Sequence, residues 1–253
     1  LNGLAIQEKV LGKEDKALLY SLHTIGFFYL RQGFYNKAES FYLRGIAISK
    51  TNFGENNLDY VNWLTNFSRL YDWQGLKNKA EPFSLRALSI AEKLVGDEDL
   101  ILVDLLIELG SLHQSQNLYD KAETFYLRAL AIHNKELQKD PTDKKNSSSL
   151  YFVISMLGQL YQYQELYDKV EALYLSQLLR LEKLLGEDSP VLASLLTSLG
   201  SLYQSQDLYD KAETLYLRAL LIDERKFGKE STNLSGSLLY LGGLYGDQGR
   251  YDK

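Results

Sequence analysis

Three histidines, His23, His113 and His133, are the side chains of this sequence best suited to proton transfer or metal binding near neutral pH. A metal site needs several such ligands at short, regular spacing, and these three are too scattered to supply it. His113 stands where related segments carry tyrosine, which marks it as a partly buried structural residue. The absence of cysteine removes disulfide and thiolate chemistry and is compatible with a reducing, cytoplasmic setting. Asp97-Glu98-Asp99 and Glu187-Asp188 fall in expected turns and read as solvated charge. Gly242, Gly243, Gly246 and Gly249 superficially resemble a phosphate loop, but no Lys-Ser/Thr follows and the stretch is patterned as a helix. The sequons at Asn66, Asn146 and Asn233 have no secretory context. The expectation is therefore a protein with no catalytic residues, no metal and no cofactor.

Composition narrows the partners. A net charge of -5 gives no basic footprint for nucleic acid. No apolar run approaches the roughly 18 residues that would span a bilayer, so no membrane partner is expected. The opening Leu1-Asn2-Gly3-Leu4-Ala5-Ile6 does not read as a signal peptide.

The elements that must position any functional group come from one recurring stretch. Leu118-Tyr119-Asp120-Lys121-Ala122-Glu123-Thr124-Phe125-Tyr126-Leu127-Arg128-Ala129-Leu130 returns as Leu208-Tyr209-Asp210-Lys211-Ala212-Glu213-Thr214-Leu215-Tyr216-Leu217-Arg218-Ala219-Leu220. Weaker copies begin at Phe34, Leu76 and Leu166, and a clipped one ends at Tyr251-Asp252-Lys253. The unit is 42 residues, and self-similarity at a fixed period of this size marks stacked repeats. Residues 1–16 read as the tail of a repeat; units follow at 17–58, 59–100, 101–148, 149–190 and 191–232, and 233–253 is a half-unit. Starting and stopping inside repeats suggests a fragment of a longer protein.

Each unit carries two helical patterns, about twelve helices in all. In the first, Leu22, Ile25, Gly26 and Tyr29 share one face, as do Leu106, Leu109, Gly110 and His113, and Leu196, Leu199, Gly200 and Tyr203. Glycine costs a helix about 1 kcal/mol, so its recurrence implies that another helix presses closely there. The second helix carries Ala38, Tyr42, Gly45 and Ile48, matched by Ala122, Tyr126, Ala129 and Ile132. Gly, Asn or Asp after a glutamine between the helices fits a left-handed residue that ends the first helix. Leu137-Gln138 lacks the glycine that closes the other units, and Lys139 to Ser149 reads as a polar, mobile loop.

Lys-Ala-Glu, Tyr-Leu-Arg-Ala-Leu and Leu-Gly at these offsets resemble the tetratricopeptide repeat, in the 42-residue variant of kinesin light chains and many bacterial signalling proteins. The resemblance covers the whole chain. It implies an all-α fold, a right-handed α-solenoid of stacked antiparallel helix pairs whose first helices line a concave groove for partner peptides.

Positions demanded by stacking say nothing about a ligand. Beside the packing face, the groove stripe offers Tyr20, His23, Phe27 and Arg31 in the first unit and Asn62, Asn66, Arg69 and Trp73 in the second. The third turns acidic with Asp104 and Glu108, the fourth offers Met156 and Tyr163, and the fifth is nearly featureless. Aromatics beside Arg and Asn have the composition of a binding hot spot, and the ligand is expected across units one to three. At the slots where chaperone-binding tetratricopeptide domains clamp a terminal carboxylate stand His23, Phe27, Asn66, Asp104 and Glu108. Only Asn66 matches, and two acids replace cations. The recurrent groove asparagines of kinesin light chains are reduced to Asn62 and Asn66. The expected function is a non-enzymatic scaffold that binds a peptide segment of a partner protein. Alternatives are the regulatory arm of a larger signalling enzyme, a nucleotide-switch ATPase or caspase-like protease, and a structural spacer. Under-covered Leu238, Leu241, Leu244 and Tyr245 on the last helix predict head-to-tail self-association.

Overall fold

The computed structural model describes residues 2–141 and 144–250. These form twelve α-helices, and no strand occurs among the described residues. The helices are α1 (Asn2–Leu11), α2 (Leu19–Arg31), α3 (Tyr35–Phe53), α4 (Leu58–Trp73), α5 (Lys77–Val95) and α6 (Ile101–Gln114). They continue as α7 (Tyr119–Lys139), α8 (Lys144–Tyr163), α9 (Tyr167–Leu185), α10 (Pro190–Ser205), α11 (Tyr209–Phe227) and α12 (Ser235–Asp247). The chain clusters into two compact units, Leu1–Ala129 and Leu130–Lys253, the division falling within α7.

Local chemistry sets the helix starts and the hairpin turns. Asn57 caps α4 by accepting a hydrogen bond from the Tyr60 amide at 2.8 Å, and α10 opens on Pro190, whose missing amide costs nothing there. At the end of α2, Gly33 adopts φ 75°, and the Phe34 amide then reaches back to the Tyr29 carbonyl at 2.9 Å. The same turn follows α8 with a non-glycine in that conformation: Glu165 at φ 58°, and Leu166 N–H on the Tyr161 carbonyl at 2.9 Å.

Within a hairpin the two helices approach through glycine. A Cβ on Gly26 would lie 2.5 Å from the Tyr42 ring, and one on Gly200 would lie 2.5 Å from the Tyr216 ring. Tyr42, Tyr126 and Tyr216 are fully buried in consequence. Between successive hairpins the recurring motif supplies polar links that pattern alone does not reveal. The Tyr71 hydroxyl donates to Glu39 at 3.1 Å, Tyr203 to Glu171 at 2.5 Å and Tyr245 to Glu213 at 2.9 Å. At the equivalent place His113 sets Nε2 against Glu81 at 3.0 Å and Nδ1 against the Leu109 carbonyl at 2.7 Å. His113 is buried, as its tyrosine slot implies. A second ladder pairs Arg44 with Glu8, Arg128 with Glu92 and Arg218 with Glu182.

Two expectations are corrected. Residues 139–149 are not one loop: α7 continues to Lys139 and α8 begins at Lys144, with Thr142 and Asp143 outside the described residues. Without a glycine after Leu137, helix α7 runs to 21 residues where α3, α5, α9 and α11 stop at 19. The run of Lys, Asp, Asn and Ser in this insertion made it look like loop. On α12, Leu241 and Leu244 are buried rather than under-covered, because they face back into their own unit. The apolar residues that α12 does expose are Leu238, Leu239 and Tyr240. The final Tyr251-Asp252-Lys253 copy lies outside the described residues.

Candidate functional site

The first helices α2, α4 and α6 border a cleft of about 790 Å3 within the first compact unit. Seven of the expected groove residues line it: Tyr20 and His23 from α2, Asn62, Asn66 and Arg69 from α4, and Asp104 and Glu108 from α6. The 100° step of a helix placed them on one stripe, and the stacking of hairpins brings the stripes together.

Its floor is aromatic. Trp63 is buried and meets His23 edge-on at 6.1 Å between ring centroids and Tyr42 at 6.2 Å. The expected groove residue Phe27 lies parallel to His23 at 6.3 Å, half exposed, and does not itself line the cleft. Sequence reasoning missed Trp63, which sits on α4 one position beyond Asn62. The signal that finds it is Gly45, because a Cβ there would collide with the Trp63 ring. Other units carry Ala87, Ala129, Gln177 or Ala219 at that slot. Only a glycine on α3 leaves room for an indole on α4.

The walls are polar, and acids predominate. Asp59, Asp104 and Glu108 line the cleft with Arg69 as their cationic counterpart. Arg69 is paired with Glu108. Burial pushes the Arg69 guanidinium below its ordinary value while Asp104 pulls it back up. Asn66 is oriented by donating to the Asn62 carbonyl at 2.8 Å, and Thr65 spends its proton on the Val61 carbonyl at 2.9 Å. Tyr20 stands at the mouth, 81% exposed.

The remaining expected residues are placed differently. Arg31 lies over the exposed Trp73 ring at 5.8 Å, beside rather than in the main cleft. Trp73 lines a smaller adjoining cavity of about 210 Å3 that shares Arg69 and Glu108 with the cleft. Met156 and Tyr163 lie on α8 in the second unit, half-buried and exposed respectively, and do not line the cleft. The histidines do not assemble either: among the described residues no group of three or more His, Asp or Glu is placed to hold a metal. Gly242, Gly243 and Gly246 lie inside α12. No helix among the described residues is long and apolar enough to cross a membrane.

Comparisons with known proteins agree with this architecture. No curated protein sequence matches the chain. Among solved structures, the nearly identical TPR-like repeats of a kinesin-light-chain-type protein from Podosopora anserina superpose with a TM-score of 0.65 at 18% identity, over 86% of this chain and 99% of that one. BtubC (BKLC) from P. vanneervenii is similar at TM-score 0.58 and 22% identity, over 92% and 85% of the two chains. The signal transduction ATPase with numerous domains from Pyrococcus horikoshii, which has a tetratricopeptide repeat sensor, matches at TM-score 0.61 and 14% identity. That match covers 93% of this chain and 34% of the ATPase. At these identities the likeness is one of fold. The family assignment rests on sequence: residues 15–93, 73–135, 151–220 and 191–253 match the tetratricopeptide repeat, and the chain belongs to that family, whose members generally act as non-enzymatic protein-interaction scaffolds.

Proposed function

We propose that this protein captures an extended or helical segment of a partner protein in the cleft between α2, α4 and α6. One observation carries the reading: seven groove side chains from three separate helices converge on one cavity above an aromatic floor. A preformed cavity with a few convergent polar groups is the usual form of a binding site. The charge of the walls sharpens the ligand. With Asp59, Asp104 and Glu108 facing one arginine that is already paired, a segment bearing lysine or arginine is favoured and a terminal carboxylate is repelled.

Panning a random peptide display library on the protein tests this, with Asp104→Arg as counter-selection. Peptides enriched in basic residues that lose at least tenfold in affinity for the variant are expected. Peptides that bind both proteins equally, or a library that yields no binder, refute the cleft.

A second reading, the ligand-sensing arm of a larger signalling ATPase, is supported by the fold shared with the Pyrococcus sensor repeats. It requires an ATPase domain in the same reading frame, and a full-length frame without one removes it. Self-association is also proposed, between the exposed Leu238, Leu239 and Tyr240 of α12 and the exposed Ile6 and Val10 of α1 in a second copy. Sedimentation that shows only monomer at high concentration would rule this out in solution.

A further inference from the structure

One hairpin lacks the tyrosine that the others bury. In α6/α7 the Tyr126 ring packs over Gly110, and its hydroxyl meets Ser111 at 3.1 Å and Gln114 at 3.0 Å. In α10/α11 Tyr216 does the same over Gly200, with Ser201 at 3.1 Å and Gln204 at 2.8 Å. Tyr42 over Gly26 and Tyr174 over Gly158 complete the series. In α4/α5 the tyrosine slot holds Ser84 and the glycine slot holds Ser68.

The missing ring leaves the adjoining cavity of about 210 Å3. Ser68, Ser84, Asp72 and Trp73 line one side of it, and Ile107, Ser111 and Leu112 of α6 line the other, the Ser111 hydroxyl already meeting Tyr126. An engineered apolar cavity of about 150 Å3 admits benzene, so a phenyl ring and its methylene fit here. The cavity meets the peptide cleft at Arg69 and Glu108, which belong to both. A chain lying in the cleft therefore passes its mouth.

The hydrogen bonds at the base select among rings. Ser68 donates its proton to the Ala80 carbonyl at 2.9 Å. The 2.6 Å contact between the two serine oxygens must then use the proton of Ser84. Ser84 Oγ is left with acceptor capacity facing the cavity, since a hydroxyl has one proton and two lone pairs. A phenol O–H satisfies that acceptor; a phenylalanine edge leaves it unpaired.

We propose that this socket takes a tyrosine side chain of the bound partner segment, ring first, with its hydroxyl donating to Ser84 Oγ. The proposal rests on the cleft being the peptide site and names one residue of the ligand. It replaces the hairpin's own tyrosine by one supplied in trans.

The test uses p-cresol, the tyrosine side-chain analogue, titrated into protein labelled at isoleucine and leucine methyls. Shifts at Ile107 and Leu112 are expected. The double variant Ser68→Gly, Ser84→Tyr restores the pair found in the other hairpins, so it should fold, and it should weaken p-cresol at least tenfold. Toluene should bind the native socket several-fold more weakly. Absence of shifts at Ile107 and Leu112, equal binding by the double variant, or tighter binding of toluene or 3-methylindole than p-cresol overturns the proposal. Failure of this arm leaves Asp104-sensitive peptide capture standing. Loss of peptide capture with cresol binding intact overturns the cleft, and with it a partner tyrosine.

Discussion

The hairpins α6/α7 and α10/α11 are near copies in space as well as in sequence, whereas α2/α3 and α4/α5 carry the same plan with altered side chains. In the first two, glycine, tyrosine, serine and glutamine close a complete set of contacts, and each buried hydroxyl is satisfied. In α2/α3 the residues at the serine and glutamine positions are Phe27 and Leu30, and the Tyr42 hydroxyl finds no protein partner. In α4/α5 the tyrosine itself is gone. The complete hairpins spend their polar groups on each other. The altered ones border both the proposed cleft and the proposed socket, each of which α6 closes on the far side.

The largest expected effect comes from imposing the relaxed state on a complete hairpin. Tyr216→Ser copies the Ser84 arrangement into α10/α11 without the compensating Ser68, and emptying a buried aromatic site costs about 3–5 kcal/mol. Ser84→Ala removes one buried hydrogen bond and should cost about 1 kcal/mol. Urea denaturation of both variants decides the matter. If Tyr216→Ser were as mild as Ser84→Ala, the distinction between the two kinds of hairpin would fail.

Tyr42 and Tyr216 sharpen it further. Burial pushes the Tyr42 hydroxyl up to about 12, against a slight pull from Arg69, and Tyr174 is also raised to about 12, by burial first. An acid whose folded value lies above its unfolded value of 10 is protonated in the native state while the unfolded chain has already lost the proton. Its contribution is whole below pH 10 and is lost as pH rises from 10 through 12. At about 1.4 kcal/mol per pKa unit, a buried side chain such as Tyr42 accounts for roughly 2–3 kcal/mol. Stability should fall over that window, and Tyr42→Phe should reduce the fall. At neutral pH the same change deletes an unpaired hydroxyl and should be neutral or stabilising, while Tyr216→Phe loses two partners and costs about 1 kcal/mol.

The next effect concerns the cleft floor. Gly45→Ala gains about 1 kcal/mol of helix propensity, but its methyl would drive into the Trp63 ring, and overpacking of this kind costs about 1–3 kcal/mol. The expected net is a loss of about 1 kcal/mol, with a change in the fluorescence of Trp63. Ala219→Gly, at the matching slot of α11, should cost about 1–2 kcal/mol from helix propensity and the loss of a buried methyl, with no such spectral change. An unaltered spectrum for Gly45→Ala would mean that the glycine does not hold the indole in place.

These contrasts also show what was legible beforehand. Period, hairpins and groove stripe follow from helical geometry acting on one repeated string, so Tyr20, His23, Asn62, Asn66, Arg69, Asp104 and Glu108 could be placed on one stripe without coordinates, and they line one cavity. Three features were not. The glutamates of Lys-Ala-Glu and Lys-Val-Glu accept from tyrosines 32 residues on, in the next hairpin, and no local pattern exposes a link of that length. The pairing of Arg69 with Glu108 turns an apparent arginine hot spot into a wall with excess acid. The socket is an absence, visible only once Ser68 and Ser84 are compared with the glycine and tyrosine of their neighbours.

The smallest expected effect lies in a turn. Gly33, Gly75, Asn117, Asp207 and Gly249 all take positive φ at the end of a first helix, and Glu165 takes the same conformation at φ 58°. A residue with a Cβ pays about 1–2 kcal/mol for the left-handed region, and asparagine or aspartate recovers part of it by local hydrogen bonding. Glutamate has the longer side chain and does not. Glycine at 165 removes the strain but gives the unfolded chain more freedom, which offsets part of the gain. Glu165→Gly should therefore stabilise by about 0.5–1 kcal/mol, whereas Gly75→Glu in the matching turn after α4 should destabilise by a similar or larger amount. Thermal unfolding in which both variants move the midpoint in the same direction would show that the turn after α8 is held by something other than the backbone geometry it shares with the rest.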